Sequence, residues 1–304
     1  MLENRNEATR LDGRVAIVTG AGGGLGRCHA LLLAARGAKV VVNDLDAANA
    51  QAVAEEIQRA GGEAVGMPAS VTDAESIAAM AEWTISAWGR IDILVNNAGI
   101  LRDKSFAKMT LDDFRLVVDV HLMGAAICAK AVWEAMRAQQ FGRIVMTTSS
   151  SGLYGNFGQA NYGAAKMALV GLMQTLALEG ERYNIRVNCL APTAATQMTG
   201  GLMAPEALAK LDPALVSPGL LALVAEEAPT RAILCAGAGH FARAFVTLTD
   251  GHHVGGGAEA ADRVIETWDE IGDRANEIVP AYGFTQAERE LANAGFGEAL
   301  MAAR

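Results

Sequence analysis

The sequence predicts an α/β fold in which a parallel, doubly wound sheet carries helices on both faces. From Arg14 onward, short apolar runs rich in β-branched residues alternate with alanine- and leucine-rich stretches of helical period. Parallel strands need a crossover connection, and a helix is the usual one. A glycine-rich turn joins the first run to the first helical stretch, and no repeat or low-complexity linker interrupts the pattern. These observations together indicate one Rossmann-like domain.

The predicted elements alternate in order along the chain. Strands are predicted at residues 15–18, 39–43, 64–68, 91–95, 142–147, 185–190 and 243–248, and helices at residues 27–36, 47–60, 74–88, 111–137 and 161–183. The alternation weakens beyond Thr193. We assign residues 11–255 to one α/β domain, whose site residues are given below, and residues 256–304 to a C-terminal helical extension of the same domain.

Composition and charge narrow the classes of function. Hydrophobic residues make up 51% of the 304 residues, and the formal net charge is −9. An acidic total argues against nucleic acid or an anionic membrane as the main partner, and the apolar runs are too short to span a bilayer. The four cysteines form no Cys-x-x-Cys pair, so neither a metal site nor a disulfide framework is expected. With a polar N-terminus that lacks an apolar signal core, these features predict a cytoplasmic protein.

The segment after the first strand has the composition of a phosphate-binding turn. Gly20, Gly24 and Gly26 allow a tight turn and a close approach of the backbone to a pyrophosphate. The following helix N-terminus offers free N–H groups and a favourable dipole, and Leu25 lies between the last two glycines. A flexible turn is the alternative interpretation. The position between a strand and a helix favours the cofactor site.

Asp44 stands at the end of the second predicted strand, about 20 residues past the glycines, where a carboxylate can accept hydrogen bonds from an adenine ribose. The same carboxylate would repel a 2′-phosphate, so NAD is favoured over NADP. Arg27 can still reach outward, which leaves the opposite preference open, and Asp44 can also be a plain turn residue. Asn97, Ala98 and Gly99 follow another strand end, where asparagines can tie strands together and border the adenosine pocket. A β-turn is the alternative there.

Tyr162 and Lys166 are four residues apart in a predicted helix, so both side chains emerge on one face. A nearby ammonium can lower the pKa of a tyrosine towards the working range of an acid–base catalyst. Ser149 lies 13 residues before Tyr162, just past a strand, where its hydroxyl can stabilise a developing alkoxide. Ser150 and Ser151 are rivals for that role, and a serine loop that satisfies its own backbone is the alternative.

Taken together, these residues resemble the short-chain dehydrogenase/reductase family over roughly residues 11–255. The resemblance is carried by a TGxxxGxG signature, an NNAG segment, an upstream serine and a YxxxK pair (Thr19, Gly20, Gly24, Gly26; Asn96 to Gly99; Ser149; Tyr162 and Lys166). It implies that Ser149 is the family serine, Tyr162 the general acid–base tyrosine and Lys166 the lysine that also holds the nicotinamide ribose. Residues 142–146 and 152–162 look like those of the (3R)-hydroxyacyl-CoA dehydrogenase unit of multifunctional enzymes, a group that also oxidises 17β-hydroxysteroids.

Several positions depart from the common family pattern. The usual Asp-Val pair that contacts adenine reads Ser70-Val71, and His121 stands where the family often has an asparagine. His121 can be either a functional residue or a satisfied core histidine. Pro192 stands where the family's Pro-Gly segment meets the nicotinamide, and Thr196 is expected to contact the carboxamide.

The resulting hypothesis is an NAD-dependent oxidoreductase that interconverts a secondary alcohol and a ketone on a large apolar substrate, a 3-hydroxyacyl-CoA or a hydroxysteroid. The apolar segment 196–215 suggests a lid over that substrate. A non-catalytic dinucleotide-binding regulator is the rival hypothesis. The family resemblance also implies a homodimer or homotetramer, built on the long helices 111–137 and 161–183.

Overall fold

The computed structural model describes residues 9–195 and 204–296. The chain divides into two compact units, of which the first ends at Ala244 and the second begins at Phe245. The first unit contains the sheet and every predicted site residue except Thr196, which lies outside the described residues. The expected boundary after residue 255 remains a prediction.

Eight strands form one sheet in the order β3-β2-β1-β4-β5-β6-β7-β8. Strands β1 to β7 are parallel to their neighbours, and β8 runs antiparallel at the edge beside β7. The predicted parallel, doubly wound arrangement is therefore confirmed, with one antiparallel edge strand. The strands are β1 (Val15–Val18), β2 (Lys39–Asp44), β3 (Ala64–Pro68), β4 (Ile93–Asn96), β5 (Gly142–Thr147), β6 (Ile185–Thr193), β7 (Ile233–Gly237) and β8 (His240–Ala244).

Helices of the first unit cover both faces of the sheet. They are α1 (Gly24–Ala35), α2 (Ala47–Arg59), α3 (Ala74–Trp88), α4 (Leu111–Val118), α5 (Gly124–Gln139), α6 (Ser150–Tyr154), α7 (Ala160–Gly180), α8 (Pro205–Leu208) and α9 (Ser217–Val224). The side chains of α1, α2 and α9 pack in one hydrophobic core, and those of α3, α5 and α7 pack in the other. Neighbouring strand residues divide between them, since Ala16 faces the first core and Ile17 the second. Burial on both faces explains why the strands are continuous apolar runs.

Helices α2, α3 and α4 each begin after a polar residue whose side chain caps the helix N-terminus. The Asp46 carboxylate accepts hydrogen bonds from Ala48 N (2.8 Å) and Asn49 N (3.1 Å) and begins α2. Asp73 caps α3 and Thr110 caps α4 in the same way. Each cap satisfies N–H groups that have no partner inside the helix.

The predicted helix 111–137 is a continuous helical run, Leu111–Gln139, with a π-helical segment (Asp119–Met123) between α4 and α5. This run is long and apolar enough to cross a membrane by length and composition alone, although 39% of its most apolar window is buried inside the protein. Helices packed in a protein core meet the same criterion, and Val132 and Met136 of this run lie in the second core. The π segment is a local widening of the helix, and His121, which lies within it, is buried.

The prediction of a strand at residues 243–248 is wrong in its extent. Strand β8 ends at Ala244, and the sequence pattern did not identify β7 as its partner. A tight turn at Ala238 (φ 50°) and Gly239 (φ 73°) joins the two strands. The His240–Ala244 segment is largely exposed, so its side chains show no apolar alternation that could predict a strand.

The second unit is small and helical, with α10 (Ala260–Glu266), α11 (Trp268–Ile271) and α12 (Thr285–Asn293). Leu248 and Ile278 form an isolated antiparallel bridge in it. The guanidinium of Arg289, on α12, donates to the Thr249 carbonyl at 2.9 Å. The helical character predicted for residues 256–304 is thus present in the described part of this unit.

Candidate active site

The candidate site lies at the edge of the sheet where the parallel strands end. The strand order reverses between β1 and β4, because the chain winds from β1 to one side and from β4 to the other. In doubly wound sheets, ligands bind at this point, in the crevice outside the carboxyl ends of the strands. The glycine turn follows β1, Asn97 follows β4, and Ser149 follows β5, so the topology collects these residues at one edge.

The glycine turn has the shape that a pyrophosphate needs. Gly20 (φ 61°) and Gly24 (φ 51°) adopt left-handed backbone conformations that favour glycine. A Cβ at Gly26 would lie 2.2 Å from the Gly20 carbonyl oxygen, so only glycine lets α1 approach the turn this closely. Space is open beside Gly23, the N-cap of α1. The residues present therefore fit a dinucleotide phosphate at the N-terminus of α1.

Asp44 lies beside this turn and holds it. One carboxylate oxygen accepts a hydrogen bond from Gly22 N (2.9 Å), and the other accepts one from Asp46 N (3.0 Å). A carboxylate oxygen has further lone pairs, so Asp44 can still accept from a ribose hydroxyl. Arg27, the possible partner of a 2′-phosphate, is instead paired with Glu56 of α2, with its Nε 2.8 Å from the carboxylate.

Thr19 joins the NNAG segment to the glycine turn. Its hydroxyl accepts hydrogen bonds from Asn97 N (3.0 Å) and Ala98 N (3.1 Å). The Asn97 side-chain amide donates to the carbonyls of Thr19 and Gly20, both at 3.0 Å. The role predicted for paired asparagines, tying neighbouring strands together, is thus performed by Asn97. The two parts of the dinucleotide site are held as one unit.

Three other predicted cofactor contacts have different surroundings. The Ser70 hydroxyl lies 2.8 Å from the Thr72 hydroxyl, in an exposed turn. Val71 is buried against α5, where a Cβ on Gly124 would come within 2.6 Å of its Cγ2. Pro192 lies near the end of β6, half-buried at the same sheet edge.

The candidate catalytic residues come together at the end of β5. Ser149 caps α6 by accepting a hydrogen bond from Ser151 N at 3.2 Å. The Ser149 hydroxyl also acts on the Tyr162 phenol and lowers the pKa of that phenol. Lys166 Nζ is 5.5 Å from the centre of the Tyr162 ring and donates to the Thr147 carbonyl at 2.5 Å. The choice of Ser149 over Ser150 and Ser151 stays a prediction, and this effect on the tyrosine pKa supports it.

Burial dominates the electrostatics of the pair. Burial raises the pKa of the Tyr162 phenol, the hydrogen bond with Ser149 opposes that shift, and the Asp103 charge adds to it. Burial lowers the pKa of Lys166 to about 7. The spacing of the pair predicted a lowered tyrosine pKa, and the structure shows the opposite direction. The reason is that burial of the phenol itself is the largest influence on its pKa.

His121 is both a core residue and a neighbour of the tyrosine. It is 2% exposed, and its ring meets the Tyr162 ring edge-on with 5.2 Å between centroids. Its Nε2 lies 3.0 Å from the Ile100 amide nitrogen and 2.8 Å from the Ile100 carbonyl oxygen, so the tautomer decides whether it accepts or donates. Burial lowers its pKa to about 3, which keeps the ring neutral. A small cavity bordered by His121, Asn96 and Lys166 lies beside it.

The structure adds three residues that sequence reasoning missed: Asp103, Gln159 and Asn161. Gln159 Nε2 donates to Asp103 Oδ2 at 2.6 Å, and Asn161 Nδ2 donates to the Arg102 carbonyl at 3.1 Å. The Asn161 side chain is fully buried although it is polar and stands at the start of a helix. The sequence signal that could have drawn attention to it is its position directly before Tyr162.

Comparison with known proteins agrees with this geometry. The family model for short chain dehydrogenases matches residues 14–207. Peroxisomal multifunctional enzyme type 2 of Drosophila melanogaster is 53% identical over 218 residues, which cover 69% of this chain and 36% of that protein. A short-chain type dehydrogenase/reductase of Mycobacterium tuberculosis is 45% identical over 279 residues, covering 88% of this chain and 97% of that one.

A solved structure is similar in the same way. The 7α-hydroxysteroid dehydrogenase complexed with NADH and 7-oxo glycochenodeoxycholic acid has a TM-score of 0.71 and 32% identity, covering 77% of this chain and 96% of that one. The chain belongs to the short-chain dehydrogenase family and is an oxidoreductase. The resemblance drawn from the motifs is thereby confirmed.

The multifunctional relatives are longer than this chain. It spans 36%, 25% and 50% of the relatives from Drosophila melanogaster, Saccharomyces cerevisiae and Dictyostelium discoideum. The predicted cytoplasmic location is contradicted by this comparison, because these relatives and one from Mus musculus are all named peroxisomal enzymes. A lack of paired cysteines distinguishes reducing from oxidising compartments, and it does not tell one reducing compartment from another.

Proposed function

We propose that this chain catalyses the NAD-dependent interconversion of a 3-hydroxyacyl-CoA and its ketone. The observation that carries the proposal is the meeting of Ser149, Tyr162 and Lys166 at the end of β5, beside the glycine turn and Asp44. A regulator that only bound a dinucleotide would not need a serine and a buried lysine at this tyrosine. The dehydrogenase family argues against that rival as well.

The side chains have distinct tasks in this proposal. Tyr162 takes the proton of the substrate hydroxyl in oxidation and returns it in reduction. The Ser149 hydroxyl donates a hydrogen bond to the substrate oxygen and so stabilises its developing charge. Lys166 orients the nicotinamide ribose and, when protonated, stabilises the phenolate. A bound nicotinamide supplies the carbon that accepts or donates the hydride.

NAD is the preferred dinucleotide in this proposal for two reasons. The Asp44 carboxylate stands where a 2′-phosphate would bring further negative charge. Arg27, which could otherwise compensate that charge, is held by Glu56. The structural relative complexed with NADH supports the same class of cofactor.

Acyl-CoA esters are preferred over steroids as substrates because of the relatives. One of them is named a peroxisomal hydratase-dehydrogenase-epimerase and is 52% identical over 223 residues. The steroid alternative has the support of the 7α-hydroxysteroid dehydrogenase at 32% identity. The basic residues Arg102, Lys104 and Lys108 follow the NNAG segment, but Lys104 already pairs with Asp113 at 2.8 Å, so it is a weaker candidate for a coenzyme A phosphate.

We also propose a homodimer or homotetramer that buries the outer faces of the long helices. Leu111 (67% exposed), Leu116 (41%) and Met123 (47%) lie on the Leu111–Gln139 run, and Met167 (40%) and Leu178 (42%) lie on α7. Exposed apolar side chains on neighbouring helices favour association. Sedimentation that gave only monomer would contradict this.

The test of function is a kinetic panel of 3-hydroxyacyl-CoA esters and hydroxysteroids, with NAD and NADP, followed at the absorbance band of the reduced nicotinamide. We expect turnover of the CoA esters with NAD. Tyr162→Phe should lower kcat by about 100-fold or more, the usual contribution of a general acid–base group. Tyr183→Phe, in the short 3-10 helix (Glu181–Tyr183) that follows α7, is the matched control. Near wild-type turnover in Tyr162→Phe would refute the role of Tyr162, and activity confined to steroids would refute the substrate class.

A further inference from the structure

The loop that follows the NNAG segment is fastened to the loop that leads into Tyr162. Lys104 N donates to the Gly158 carbonyl at 2.9 Å, and Asn161 Nδ2 donates to the Arg102 carbonyl at 3.1 Å. Between these two bonds, Gln159 Nε2 donates to Asp103 Oδ2 at 2.6 Å. Three consecutive residues of one loop therefore each hold one residue of the other.

The hydrogen bonds between the two loops lie only a few residues along the chain from the candidate catalytic tyrosine. Gln159 is 8% exposed and stands immediately before α7, three residues ahead of Tyr162. Its Oε1 accepts from Asn156 Nδ2 at 3.1 Å, so both ends of the amide are engaged. Asn161 Oδ1 accepts from the Tyr162 amide at 2.8 Å. Side chains this constrained hold the first turn of α7 in one position.

The negative charge of Asp103 also acts on the phenol and raises the pKa of Tyr162. The neighbouring ammonium, Lys104 Nζ, pairs with Asp113 Oδ2 at 2.8 Å and so belongs to another carboxylate. Four groups face Tyr162 from the elements around it: the Asp103 carboxylate, the Ser149 hydroxyl, the His121 ring and the Lys166 ammonium. His121 is neutral, since burial lowers its pKa to about 3. Asp103 is therefore the acidic member of this set, opposed to Lys166.

We propose that Asp103 is a positioning residue that holds the Tyr162 turn through Gln159 and favours the protonated phenol by its charge. It would thereby shift the pH range in which Tyr162 exchanges a proton with the substrate, in oxidation and in reduction alike. The proposal rests on the function proposed above. Its physical basis is that a nearby negative charge disfavours a second one, and the pKa of Tyr162 is raised in part by Asp103.

Three substitutions separate the two parts of the proposal. Asp103→Asn keeps an oxygen that can accept from Gln159 and removes the charge. Asp103→Glu keeps the charge on a longer side chain. Asp103→Ala removes both. Asp112→Asn is the matched control, because Asp112 is an exposed carboxylate nearby whose partner is Arg115 (3.1 Å).

The first measurement is the pH dependence of kcat/KM for a 3-hydroxyacyl-CoA with NAD and for the ketone with NADH. In Asp103→Asn, we expect the limb that reports Tyr162 to move to lower pH in both directions, while Asp103→Glu and Asp112→Asn keep the wild-type profile. Asp103→Ala should show the same shift and also a lower kcat, because the turn before Tyr162 loses the hydrogen bond between Gln159 and residue 103. An active Asp103→Asn enzyme with an unchanged profile would overturn the electrostatic part. An Asp103→Ala enzyme with the kcat of Asp103→Asn would overturn the positioning part.

A second measurement does not depend on turnover. The near-ultraviolet absorbance of the phenolate is titrated in each variant, and the Tyr162→Phe titration is subtracted to isolate Tyr162. We expect Tyr162 to ionise at lower pH in Asp103→Asn than in the wild type. This readout also separates Tyr162 from Lys166, which has a pKa of about 7 and can shape the same limb of a kinetic profile. If every enzyme fails on all substrates, the proposed function is wrong, while the titration still supports or overturns the effect of Asp103.

Discussion

Lys166→Met should stabilise the fold while abolishing the proposed chemistry. Lys166 is 3% exposed, and burial lowers its pKa from 10.5 to about 7. At 1.36 kcal/mol per pKa unit, holding this amine in the folded chain near pH 7 costs about 4 kcal/mol. Methionine has a similar unbranched shape without the charge. The Thr147 carbonyl loses its partner, which costs about 1–3 kcal/mol, so we expect a net gain of about 2 kcal/mol.

The stability of the wild type should depend on pH through the protonation of Lys166. Between pH 7 and 10.5 the unfolded chain carries a proton on Lys166 that the folded chain lacks, so the contribution of Lys166 to stability rises with pH across that window. The rise should be about 1.5–2 kcal/mol between pH 7 and about 8.5, and Lys166→Met should lack it. The window ends there because burial raises the pKa of the Cys128 and Cys189 thiols to about 12. Above their ordinary value of 9.0 the unfolded chain loses thiol protons, and stability then falls as pH rises.

Denaturant unfolding of both proteins at about pH 7 and about pH 8.5, at one ionic strength, measures these quantities. Lys130→Met, at an exposed position of α5, controls for the loss of a surface charge and should change stability by less than about 0.5 kcal/mol. A Lys166→Met protein that is less stable than the wild type at pH 7, and whose stability rises with pH in parallel with the wild type, would contradict the prediction. That result would mean that Lys166 is solvated, and not desolvated, in the folded chain.

Two further predictions concern His29 and Asp44. His29 is fully buried with its Nδ1 2.8 Å from the Ser217 hydroxyl, and burial lowers its pKa to about 3. As pH falls from 6.5 towards 3, His29 becomes protonated in the unfolded chain but stays neutral in the folded chain. Stability should therefore fall by about 1.4 kcal/mol per pH unit. His29→Gln should lose that part of the slope in denaturant unfolding and the surface substitution His240→Gln should keep it; equal slopes would contradict the assignment. Asp44→Asn should raise the KM for NAD about tenfold and reduce the preference over NADP, since it removes one charge-assisted contact; an unchanged ratio of kcat/KM for the two dinucleotides would exclude Asp44 from the ribose site.

Much of the fold could be predicted because local signals are strong where an element is buried on both sides. Val15–Val18 is a continuous apolar run because both sheet faces are covered. Asp46 and Asp73 mark helix starts by capping that needs no distant partner. The bounds of strand β8 could not be predicted, since its exposed side chains show no internal period and its antiparallel pairing with β7 sets its extent. The π segment at His121 was missed because its residues, Asp119–Met123, include no glycine or proline that would interrupt a helical pattern.

The sequence by itself determined the class of the protein, because the motifs that define the class can be read in their order along the chain. They are the glycine turn, Asp44, the NNAG segment, Ser149 and the Tyr162–Lys166 pair. Only the tertiary structure decided how these groups act on one another. The turn of Lys166 to the Thr147 carbonyl, the edge-on contact of His121 with Tyr162 and the hold of Asp103 on Gln159 join residues from separate elements. Their protonation depends on burial, and burial is a property of the packed molecule that no spacing in a sequence records.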